Sequence, residues 1–141
     1  MEKRSGSAMK QEKPTVVVVD DNATIAHIFD LATRELGLEL HCFDSAAEAA
    51  PYLEEHSPDL LFLDIIMPDK DGLTFLQELR RHPHHGQTPV IMITSKDYEQ
   101  DRTAARELGA LDFVIKPLTS REIQAIIARY LGLRVNGNGP S

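Results

Sequence analysis

Four short apolar runs in this chain each stop at a polar or charged residue. Val16–Val19 is followed by Asp20 and Asp21, and Leu60–Leu63 by Asp64. Val90–Ile93 runs into Thr94 and Ser95, and Phe113–Ile115 into Lys116 and Pro117. Runs this short and apolar, set between turn residues, predict strands buried on both faces of a parallel sheet. In open parallel sheets the ligand site lies outside the carboxyl ends of the strands. Three carboxylates, a hydroxyl and an ammonium are therefore expected at one sheet edge, a place to hold a divalent cation and handle a phosphoryl group.

Helix signals fill the gaps between the runs. Asn22 can cap a helix with Ile25, Ile28, Phe29, Ala32 and Leu36 on one stripe, and Gly37 ends it. Leu38–Phe43 alternates, which suits a strand at the sheet edge. Ser45 and Glu48 form a capping-box pattern opening a helix to about His56, with Pro51 expected to bend or loosen it. Strand three is expected over Asp59–Leu63, and a loop over Asp64–Asp71 leads to Gly72 and a helix carrying Leu73, Leu76 and Leu79. Strand four is expected over Thr88–Ile93. Asp97 can cap a fourth helix to Leu108, which has little to bury and should be the least firmly held. Gly109 ends that helix, Leu111–Ile115 is strand five, and Thr119–Glu122 is a second capping box. The last helix carries Ile123, Ile126, Ile127, Tyr130 and Leu131.

Strict alternation of this kind predicts a flavodoxin-like, doubly wound (βα)5 fold: five parallel strands in the order 2-1-3-4-5, with helices on both faces. The ligand crevice then falls between strands one and three, where Asp20, Asp21 and Asp64 stand. At 141 residues the chain has room for one domain. That domain is expected over 14–133, between a polar arm (1–13) and a flexible tail (134–141). No apolar run reaches membrane-spanning length, and the polar N-terminus does not read as a secretory signal. Cys42 is the lone cysteine, so no internal disulfide can form; a buried strand position and a cytoplasmic setting are expected. The formal net charge of −7 argues against bulk binding to nucleic acid or to an anionic membrane. His82, His84 and His85 are read as a solvated helix-end loop rather than a metal site.

Carboxylates packed this closely repel one another unless a cation or a proton intervenes. An all-oxygen set favours Mg²⁺, with Mn²⁺ as a substitute. A carboxylate can also attack phosphorus and form an aspartyl-phosphate.

With these motifs in order, the acid pair, Leu63-Asp64-Ile65-Ile66-Met67-Pro68 with Asp71-Gly72, Ile93-Thr94-Ser95 and Lys116-Pro117, the chain resembles a response-regulator receiver domain of two-component signalling, CheY-like, from about Pro14 to Gly132. The resemblance implies that Asp64 is the phosphoacceptor. It implies metal binding by Asp20, Asp21, Asp64 and the backbone carbonyl of Ile66, with Asp20 acting largely through water. Thr94 and Lys116 would contact the phosphoryl group, Lys116–Pro117 would be a cis peptide, and Thr94 with Phe113 would form the switch. A histidine kinase or phosphotransfer protein would donate the phosphoryl group. The surface of the fourth helix, strand five and the last helix would serve partners or a homodimer. Such a domain catalyses only its own phosphorylation and dephosphorylation. Ile66 and Lys96 stand where the family's side chains flank the hydrolytic water, so bulky Ile66 is expected to slow dephosphorylation.

Two rival readings remain. A haloacid-dehalogenase-like phosphatase would need an acid where Ile66 stands. A degenerate receiver, acting only as a binding or dimerisation module, would not need the full set of acids, Thr94 and Lys116. Nothing after Leu133 reads as an output region, so the chain is expected to be a stand-alone receiver or a piece of a larger regulator.

Overall fold

The computed structural model describes residues 13–133. The expected arm, but for its last residue, and the whole of the expected tail lie outside them. The elements run β1 (Thr15–Val19), α1 (Ala23–Leu36), β2 (Glu39–Phe43), α2 (Ala46–Glu55), β3 (Leu60–Asp64), α3 (Gly72–Arg81), β4 (Val90–Thr94), α4 (Glu99–Glu107), β5 (Asp112–Ile115) and α5 (Ser120–Leu131). The strands form one sheet in the order β2-β1-β3-β4-β5, every neighbour parallel. This is the flavodoxin-like, doubly wound arrangement that the alternation predicts.

The three central strands explain the apolar runs. β3 and β4 are buried at every residue and β1 at all but its first, so side chains on both faces must be apolar. Alternation divides them into two cores. Val17, Val19, Leu61, Leu63, Val90 and Met92 pack beneath α2, α3 and α4 with Leu53, Phe75 and Leu76. Val16, Val18, Leu60, Phe62, Ile91 and Ile93 pack against α1 and α5 with Phe29, Ala32, Ile123 and Ile127.

Helix starts are set by side-chain caps. Asn22, Ser45, Asp71 and Thr119 each accept a hydrogen bond from a first-turn backbone N–H. Only Thr119–Glu122 closes both arms of its box. In α2 the Glu48 carboxylate accepts instead from the N–H of Asp44, one residue before the cap. α2 runs through Pro51 without a break.

Three local expectations are overturned. Asp97 does not cap α4: Tyr98 holds that position with no side-chain bond, and the Asp97 carboxylate takes both Nε and Nη2 of Arg102 (2.6 and 3.1 Å). A charge-assisted, two-point contact with Arg outweighs a single cap bond. Cys42 is exposed rather than buried, because β2 is an edge strand in which no residue is fully buried. His85 is fully buried, whereas His84 is exposed and His82 half-buried, so the histidine loop is not uniformly solvated. α4 itself buries only Ala105.

Candidate functional site

Register brings the acids together. Val19 pairs with Leu63, so the residues that follow, Asp20 and Asp64, emerge side by side from β1 and β3. Asp20 is almost fully buried, and its Oδ1 accepts from the N–H of Asn22 (2.9 Å), the cap of α1. Asp21, one residue further along the turn, is exposed. Asp64 is the last residue of β3 and is also buried; its Oδ1 accepts from the Ile66 N–H at 3.4 Å. One ligand oxygen from each of Asp20, Asp21 and Asp64 lies within 4.8 Å of the others.

Opposite them stands Lys116, just beyond β5. Its backbone N–H donates to the Thr94 carbonyl (2.8 Å), which fixes where the side chain starts. Its ammonium lies 2.8 Å from Asp20 Oδ2 and 3.5 Å from Asp64 Oδ2. The contact with Asp20 has the distance of an ion pair but not the alignment of a hydrogen bond. Among the described residues, Asp20 Oδ2 is the one buried side-chain oxygen or nitrogen without a hydrogen-bond partner. The Lys116–Pro117 peptide bond is cis. Thr94, buried at the end of β4, accepts on its hydroxyl from the Lys96 N–H (3.2 Å).

The strand-to-helix turn after Asp64 is held by close backbone contact. The Gly72 N–H donates to the Ile65 carbonyl (2.8 Å), and a Cβ on Gly72 would stand 2.1 Å from the Asp64 carbonyl oxygen. Only glycine permits that approach. The Asp71-Gly72 pair was the signal for it in the sequence.

Charge follows from this geometry. Burial pushes the Asp64 carboxyl up to about 6, and the neighbouring Asp20 carboxylate adds to the rise. Lys116 and the Ile66 N–H oppose it. Two buried like charges beside one ammonium leave the cluster short of positive charge.

Not every residue singled out in the sequence joins this cluster. The Ile66 side chain is about half exposed at the rim, 51%. Phe113 pairs with Met92, deeper along β5, and packs on the core beneath α2, α3 and α4. Its ring carries the Arg102 guanidinium 4.8 Å from its centroid. No pattern in the sequence announced the triad of Asp97, Arg102 and Phe113, since its members fit no single helical or strand period.

Fold and site together define a flavodoxin-like α/β domain with an acidic cluster at its topological switch point. The model of the response regulator receiver domain matches residues 16–128, and the chain belongs to that family. Solved structures agree. A response-regulator candidate from Chloroflexus aurantiacus is 30% identical, with a TM-score of 0.77, covering 86% of this chain and 99% of its own. The receiver domain of the sensor histidine kinase PA1611 from Pseudomonas aeruginosa, solved with magnesium in its active-site cleft, is 24% identical (TM-score 0.75; 86% and 99% covered). The phosphorylated cyanobacterial phytochrome response regulator RcpA is 21% identical (TM-score 0.78; 88% and 98% covered). The protein is a CheY-like receiver domain of two-component signalling, a switch rather than an enzyme in the ordinary sense. Among the described residues no helix is long and apolar enough to cross a membrane.

Proposed function

We propose that residues 14–133 form a cytoplasmic phosphoacceptor switch that takes a phosphoryl group from the phosphohistidine of a histidine kinase or phosphotransfer protein onto Asp64. The observation that carries this reading is the gathering of three carboxylates, Asp20, Asp21 and Asp64, around the single ammonium of Lys116. One ammonium cannot neutralise three carboxylates, and a bound cation would supply the missing charge. The carboxylates of Asp20, Asp21 and Asp64 and the Ile66 carbonyl fit Mg²⁺, with Mn²⁺ as a substitute. When bound, the metal supplies positive charge to the transferring phosphoryl oxygens.

The chain's own residues do the rest. An Asp64 carboxylate oxygen forms the new O–P bond as the N–P bond of the donor breaks, and the electron pair leaves with the imidazole. Lys116, already within reach of Asp64, faces the added charge of about −2. The Thr94 hydroxyl, which here accepts from the Lys96 N–H, donates its own hydrogen to a phosphoryl oxygen. Thr94 and Phe113 then shift and bias α4, the helix with the fewest buried residues. The face formed by α4, β5 and α5 would meet the downstream partner or a second copy. The domain itself needs no nucleic acid and no membrane.

Berylliofluoride, a phosphoryl mimic, tests this reading. With Mg²⁺ the amides of Asp64, Thr94 and Lys116 should shift together in NMR spectra, and without Mg²⁺ they should not. An unresponsive spectrum would favour a binding module that is never phosphorylated. Ile66→Asn should speed loss of phosphate from Asp64; an unchanged lifetime would remove Ile66 from the hydrolytic path.

A further inference from the structure

The opposite end of the sheet holds a second charged network that the phosphoacceptor site does not use. Arg80, near the end of α3, spends its guanidinium on backbone carbonyls. Nε donates to Leu108 (2.7 Å), Nη1 to His85 and Thr88 (2.9 and 2.8 Å), and Nη2 to Gly109 (3.3 Å). Two of these carbonyls belong to the C-terminal end of α4, a helix that buries only Ala105. Arg80 is therefore a main tether of that end.

His85 abuts this tether and is fully buried. Its Nε2 lies 2.6 Å from the Leu53 carbonyl in the last turn of α2, and its Nδ1 lies 2.8 Å from Thr88 Oγ1. A carbonyl can only accept, so Nε2 carries the hydrogen, and the Thr88 hydroxyl can donate to Nδ1. That arrangement, with the ring fully buried, suits the neutral imidazole. A proton on Nδ1 would oblige the Thr88 hydroxyl to turn toward its other acceptor, the His84 carbonyl, at a long 3.4 Å.

The groups facing the ring oppose a second proton. Arg80 holds the backbone carbonyl of His85 itself. The His82 and His84 rings lie 5.2 and 6.4 Å away, centroid to centroid. From α2, the Glu54 carboxylate reaches His82 (3.7 Å) rather than His85. From α4, exposed Glu107 lines the same surface cavity as Arg80. Burial holds the imidazole below its ordinary value; the Leu53 carbonyl works against this, and His82, His84 and Arg80 add to it.

We propose that Arg80 and His85 form an acid-sensitive clasp on the C-terminal end of α4, closed while His85 is neutral and released when it gains a proton. The sign follows from linkage. The ring is neutral in the closed state, and the opened loop accepts a proton near the usual 6.5 or so, so closure holds above that pH and weakens as pH falls through it. The clasp does not depend on Asp64 being a phosphoacceptor.

Amide hydrogen exchange on the whole chain, corrected for its intrinsic pH dependence, tests the clasp. Between pH 7.5 and 5.5, protection at residues 108–110 should fall about fivefold or more, while Ile91 and Met92 in β4 stay protected. His85→Gln, which keeps a neutral donor toward Leu53, should abolish the pH dependence. Unchanged protection, a fall shared with β4, or the same fall in His85→Gln would overturn the proposal. Should that variant not fold, ¹⁵N titration of the wild-type imidazoles decides. Shifts at Leu108–Ala110 must follow the midpoint of His85, and tracking His82 or His84 instead would overturn it.

Discussion

The two ends of one sheet treat buried polarity in opposite ways. At the carboxyl end, Asp20 and Asp64 are buried together, and one Asp20 oxygen has no hydrogen-bond partner. At the amino end, Arg80 saturates four carbonyls and both nitrogens of His85 are bonded. Satisfied polar groups of the second kind hold loops and helix ends in place. Like charges gathered as at the first end cost stability unless a cation neutralises them. The contrast is between a hydrogen-bonded network and a cluster of like charges.

The largest effect should come from the glycine that supports the acidic end. Gly72→Ala drives a methyl group into the Asp64 carbonyl and should cost about 3 kcal/mol in urea unfolding. A loss below about 1 kcal/mol would mean that the backbone yields there easily. At the satisfied end, Arg80→Met should cost about 2 kcal/mol, because the carbonyls of His85, Thr88 and Leu108 lose their donor. Unchanged stability would show that water replaces the guanidinium, and the contrast between the ends would blur.

Substitution at the acidic end should have the opposite sign. Asp64→Asn should stabilise the metal-free protein by about 1 kcal/mol at pH 7.5, a figure discounted because solvent reaches part of the site. The pH dependence follows from the Asp64 carboxyl standing near 6 when folded, against an ordinary value near 3.8. Between those values the folded protein holds more protons than the unfolded chain, so wild-type stability falls as pH rises through that window. The advantage of Asp64→Asn should therefore shrink on acidification from pH 6 toward 4. An advantage that grew would contradict the repulsion. Smallest of all, Asp21→Asn should raise the melting temperature without metal slightly, since Asp21 is exposed, while removing Mg²⁺ binding by calorimetry. A lower melting temperature would argue that Asp21 is a structural cap.

Much of the acidic end could be read from the sequence, because Asp20, Asp64, Thr94 and Lys116 each directly follow an apolar run and register does the rest. Asp20, Asp64, Thr94 and Lys116 needed only the strand order to converge. The amino end was not legible. Arg80 reaches Leu108 and His85 reaches Leu53 across about thirty residues of chain, with no periodicity linking them. Asp97 misled for a related reason: its position suited a cap, but Arg102 offered a stronger partner. Cys42 misled because the edge strand β2 fully buries none of its residues, so apolar neighbours in sequence did not mean burial.

The most direct test of the phosphoacceptor reading is incubation with acetyl phosphate, with and without Mg²⁺, followed by peptide mass spectrometry. One phosphoryl group should appear on Asp64, only with the metal and not in Asp64→Asn. An adduct on another residue, or none at all, would contradict it.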